Sequence, residues 1–108
     1  MDKNGAIKIV RNYTNKLKKT NIGIFETWLF GSYAKETYNS NSDIDLAIVL
    51  VENEPDFEKE ILLMTLRNGD ETLIEPHLFS KKDFLKIAHL LLKLKVLVCN
   101  YKQNKFCK

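Results

Sequence analysis

The chain has 108 residues, 44% of them hydrophobic and 29% charged, with a net charge of +3. That supports one hydrophobic core, which excludes a disordered chain and leaves no room for a separate substrate domain. No run is long and apolar enough to cross a membrane, and the polar start Met1-Asp2-Lys3-Asn4-Gly5 is not a signal peptide, so a cytoplasmic location is expected.

Ile7, Val10, Thr14 and Leu17 line one face of an expected first helix, with Lys8, Arg11, Lys18 and Lys19 largely elsewhere. Ile24, Phe25, Trp28, Leu29 and Phe30 then make an apolar, aromatic-rich strand. Gly31 ends it, where glycine permits backbone angles and a closeness that a side chain would block. Ser32 offers a hydroxyl and an N–H, and Tyr33-Ala34-Lys35 opens a short helix whose free N–H groups attract anions. Lys35 adds positive charge. Gly-Ser is also a common turn, so this segment alone does not establish a phosphate site.

Asn39-Ser40-Asn41-Ser42 is a polar loop leading to Asp43-Ile44-Asp45. On a strand, Asp43 and Asp45 point to one face, while Ile44, Leu46, Ile48 and Leu50 form a core stripe on the other. Two acids on one face repel unless a cation lies between them, and hard oxygen ligands suit magnesium. The plainer alternative is a turn at Asp43 and an exposed strand residue at Asp45.

Pro55 and Asp56 suit a helix start, with Phe57, Ile61, Met64 and neighbouring leucines as its expected buried side. Asn68-Gly69-Asp70 stops that helix. Glu71 to Phe79 reads as the next strand, with Glu75 at its middle. An acid there needs a partner or a metal; equally, Pro76 fits an edge strand with a solvated glutamate. Ser80 is an expected N-cap, with Asp83 at the capping-box position. His77 reads as a structural hydrogen-bonder and Trp28 as core.

Charge is uneven, with +7 in residues 81–108 and −4 in residues 1–80. The basic end suits a solvated face or an acidic contact. Its lysines lack interleaved aromatics and nucleic-acid motifs, so nucleic acid is not expected. Cys99 and Cys107 match no zinc spacing and read as free thiols.

Leu29-Phe30-Gly31-Ser32, Ser42-Asp43-Ile44-Asp45-Leu46 and Ile74-Glu75-Pro76-His77 leading into Ser80-Lys81-Lys82-Asp83-Phe84 together resemble the DNA polymerase β-type nucleotidyltransferase superfamily. Within it, the chain resembles the minimal nucleotidyltransferases, antitoxin partners of HEPN-domain toxins. The resemblance spans roughly residues 5–88. It implies an α/β (α+β) fold, a small mixed sheet with flanking helices. Length points to a single domain over residues 1–108, and residues 89–108 depart from the family as an atypical C-terminal tail. The resemblance implies that Gly31 and Ser32 hold the triphosphate of ATP, to whose binding the charge of Lys35 adds, and that Asp43, Asp45 and Glu75 are catalytic and bind Mg2+. AMP would pass to a tyrosine of the HEPN toxin. A contact-only antitoxin and a small-molecule transferase are the alternatives. Glu36 stands where a glycine is common, and Tyr33 where an arginine is frequent.

Overall fold

The computed structural model describes residues 2–39, 41–51, 55–90 and 95–100. The elements run α1 (Lys3–Leu17), β1 (Ile24–Phe30), α2 (Ser32–Lys35), β2 (Ile44–Leu50), α3 (Phe57–Thr65), a 3-10 turn (Gly69–Leu73), β3 (Ile74–Ser80), α4 (Lys81–Leu90) and β4 (Val96–Asn100). They form a mixed sheet of order β3-β2-β1-β4. β1 is antiparallel to both neighbours, whereas β2 and β3 are parallel. β4 was not among the expected elements. The other expectations for residues 91–94 and 101–108, including the Cys107 thiol, lie outside the described residues.

Capping sets the helix starts. The Asp2 carboxylate accepts the Gly5 N–H at 2.8 Å to open α1. Asp56 does the same for α3 through Lys59, and Ser80 for α4 through Asp83. α1 buries Ala6, Val10, Tyr13, Thr14 and Leu17, so Ala6 and Tyr13 join the expected face. The Tyr13 hydroxyl donates to the Leu63 carbonyl at 2.5 Å, tying α1 to α3. Burial pushes the Tyr13 phenol well above its ordinary value.

Both faces of the sheet are covered. On one, Ala6, Val10 and Leu17 meet Leu29, Ile44, Leu46, Ile48, Leu63 and Ile74. On the other, Phe84 of α4 packs on Ala47 and Val49, with Trp28, Phe30 and Phe79 around them. Trp28 stacks on Phe84 at 6.0 Å. Covering on both faces explains why β2 is nearly all apolar. Asp45 is the one residue of β2 that is not buried.

Two expectations need correction. The third strand begins at Ile74, not Glu71. Gly69 takes a positive φ of 58°, and the Glu71 carboxylate accepts the Asn68 N–H at 3.0 Å to cap the 3-10 turn. Glu71, 8% exposed, is also ion-paired with Lys16 of α1. The Glu71 N–H donates to the Asn68 carbonyl inside this turn, so its backbone is not free for a strand ladder. Second, α3 does not bury Phe57, Ile61 and Met64. They are 74%, 46% and 44% exposed, and Leu63 is the buried residue of the helix. At i, i+4 and i+7 the three form one stripe facing away from the core.

The Lys16–Glu71 pair braces the turn that launches β3. Lys16→Met strands a nearly buried carboxylate, and removing one partner of a buried pair costs about 3–5 kcal/mol. Lys16 keeps a third of its side chain in water, so the lower end of that range is an upper bound here. Urea unfolding of Lys16→Met should show a loss of up to about 3 kcal/mol; an unchanged midpoint would contradict the brace.

Candidate metal centre at one end of the sheet

The in-register pairing of β2 with β3 sets Asp45 directly opposite Glu75, and Ala47 opposite His77. Side chains two apart on a strand share a face. Asp45, Glu75 and His77 therefore converge on the face that α4 covers only further along, over Ala47 and Val49. One ligand atom from each lies within 4.8 Å of the others. His77 Nε2 is 3.4 Å from Asp45 Oδ1, and the Phe30 ring stands 5.2 Å from the imidazole at 60°. Among the described residues, no lysine or arginine pairs with either carboxylate.

Asp43 is exposed, one position before β2, and is not part of this group. His77 is part of it. Weighed alone it reads as a structural hydrogen-bonder, and its bond to Asp45 fits that. The signal that links it to the site is its spacing of two from Glu75.

Gly31 meets Asp45 from the neighbouring strand. Its φ of 74° and ψ of −151° lie in a region open essentially to glycine. A Cβ there would stand 2.2 Å from Asp45 Oδ2. The glycine thus lets the turn close over the carboxylate. Ser32 begins α2 half-buried, Lys35 is exposed at its end, and the Lys35 N–H donates to the Gly31 carbonyl at 3.1 Å. Glu36 closes α2 at φ 59°, the left-handed region, which gives a physical reason for a glycine at this place. Tyr33 is buried and stacks on Tyr38 at 4.7 Å. In the polar loop, Asn39 accepts the Asn41 N–H and Ser42 accepts the Asn39 N–H, both at 2.8 Å. A cleft of about 710 Å3 opens beside this loop, lined by Ile9, Asn12, Tyr33, Asn39, Ser42 and Leu73 among others. The three clustered side chains are not in its lining; they stand at the open end of the sheet.

The donor set fits a divalent cation. Among the described residues, the two carboxylates face each other without a lysine or arginine between them, and an imidazole nitrogen adds a third donor. The hydrogen bond and charge of Asp45, with a smaller contribution from Glu75, raise the His77 pKa above its ordinary 6.5 against the opposing effect of burial. A raised folded pKa stabilises the fold below the unfolded value near 6.5, and the gain fades as pH rises through the folded value. In metal-free protein, Asp45→Asn should lower the His77 pKa followed by NMR titration. An unmoved titration would contradict the assigned cause.

The nucleotidyltransferase domain family model matches residues 7–106. That span runs past the start of the tail expected to be atypical. A candidate nucleotidyltransferase from Sulfolobus solfataricus superposes with a TM-score of 0.72 at 17% identity, covering 94% of this chain and 86% of that one. A toxin–antitoxin structure with AMP-PNP superposes with a TM-score of 0.61 at 22% identity, covering 87% and 76%. At these identities the two structures share the fold. No curated protein matches the sequence.

Proposed function

We propose that this chain, which belongs to the nucleotidyltransferase domain family, is the magnesium-dependent antitoxin of a HEPN toxin and transfers AMP from ATP to a toxin tyrosine. Its fold is the small mixed sheet with flanking helices of the polymerase β-like, minimal-nucleotidyltransferase kind. The observation that carries the reading is Asp45 opposite Glu75, beside a glycine turn that no other residue fits. The fold shared with a toxin–antitoxin structure containing AMP-PNP supports both the partner class and the nucleotide.

In this reading the phenol oxygen of the tyrosine attacks the α-phosphorus in line, and pyrophosphate leaves. Gly31 lets the backbone approach the triphosphate, and the Ser32 hydroxyl and Lys35 hold its oxygens. Asp43, Asp45 and Glu75 would hold magnesium. When bound, such ions offset phosphate charge and stabilise the attacking and leaving oxygens. Glu75, exposed at the start of β3, takes the phenol proton. The remaining work is positioning and charge compensation. The carboxylates stand at an open sheet end outside the cleft, which favours an acceptor delivered by a protein surface over an enclosed small molecule.

Neutralisation by contact alone is the second reading. The stripe of Phe57, Ile61 and Met64 favours it, because three large apolar groups on one short helix suit a partner protein. Glu58 and Glu60, both exposed on the same helix, suit basic groups on that partner.

The two readings separate in one experiment. The chain is incubated with the HEPN toxin, magnesium and ATP labelled at the α-phosphate. The toxin should gain one AMP on a tyrosine, and Glu75→Gln should slow labelling by roughly 10²-fold or more while the complex still forms. A wild-type protein that neutralises the toxin without adding mass would overturn the transfer reading.

A further inference from the structure

We infer that His77 makes the ion seat at Asp45 and Glu75 hold a transition-metal dication such as manganese more tightly than the magnesium that the proposed transfer also accepts. The inference rests on the metal reading of this site and adds a residue and a preference to it. Three observations carry it. The first is register: Glu75 and His77 alternate onto the face of Asp45, so a nitrogen joins two oxygens. The second is distance. Donors around one octahedral ion at about 2.1 Å lie roughly 3 to 4.3 Å apart; Asp45 Oδ1 and His77 Nε2, at 3.4 Å, fall in that range, and all three donors lie within 4.8 Å of one another, a small side-chain adjustment away. The third is restraint. Asp45 Oδ1 lies 3.4 Å from His77 Nε2, and the Phe30 ring stands 5.2 Å from the imidazole. The nitrogen thus already stands towards the Asp45 carboxylate.

The chemistry then decides the preference. Magnesium demands oxygen ligands and gives up water reluctantly, so an imidazole adds little to its affinity. A transition-metal dication accepts imidazole nitrogen, and manganese also tolerates the carboxylates already present. Asp43 lies outside the group and is not needed for the selectivity.

The test uses the full chain with metal ions as the only ligands, at a mildly alkaline pH. Free manganese is followed by electron paramagnetic resonance, and magnesium by its competition for the same sites. Wild type should bind manganese at least about tenfold more tightly than magnesium. His77→Gln should weaken manganese binding about tenfold or more, the scale on which changes around a metal site act, and leave magnesium nearly unchanged. Circular dichroism checks that the variant folds, and Asp45→Asn checks that the ions bind here. Equal weakening of both ions, or of neither, in a folded His77→Gln would overturn the inference while leaving the metal reading intact. A wild type that binds neither ion would overturn the metal reading and the inference with it.

Discussion

Asp45 and Glu75 are held face to face by the in-register parallel pairing of β2 and β3. Adjacent strands are about 4.8 Å apart, and two unit charges at that spacing repel by roughly 3 kcal/mol at an effective dielectric near 20. Water around the exposed Glu75 reduces this, but the sign stands. His77 answers the repulsion in part, by hydrogen-bonding Asp45. Among the described residues no lysine or arginine stands between the two acids, an arrangement that fits a cation from outside.

Much of the remaining architecture serves that juxtaposition. Lys16 and Glu71 fix the turn that starts β3, and so fix which residue stands opposite Asp45. The apolar cover on both faces keeps β2 from slipping, because a one-residue slip would turn Asp45 into the core. α4 covers Ala47, Val49 and Phe79 but not the start of β2, leaving Asp45 half-exposed. Gly31 brings the preceding turn against that carboxylate, where any side chain would collide. Core, brace and turn therefore converge on one open end of the sheet.

The parts of this arrangement that depend on local pattern were legible in the sequence. Alternation along Ile44 to Leu50 gave β2 and its inner stripe, and the Gly31-Ser32 turn followed from an apolar strand ending in glycine. Ser80 was readable as a cap because Asp83 follows at the right interval. What failed depended on tertiary context. α3 carries apolar groups on two sides, and periodicity does not say which one meets the core; Leu63 does, and Phe57 does not. Glu71 reads as strand because nothing local reveals its pairing with Lys16, a residue 55 positions away. β4 was missed because it pairs with β1 from the far end of the chain. His77 reads as a lone histidine in sequence, because its relation to Asp45 depends on β2–β3 register.

The central claim is that Asp45 and Glu75 share a divalent cation. Anomalous diffraction from a crystal of the full chain grown with manganese addresses it directly, since it locates the ion without reference to activity. The account predicts a peak within bonding distance of both carboxylates, with the His77 imidazole turned towards it. Bound manganese whose peak lies elsewhere on the chain, with Asp45 and Glu75 left uncoordinated, would contradict it.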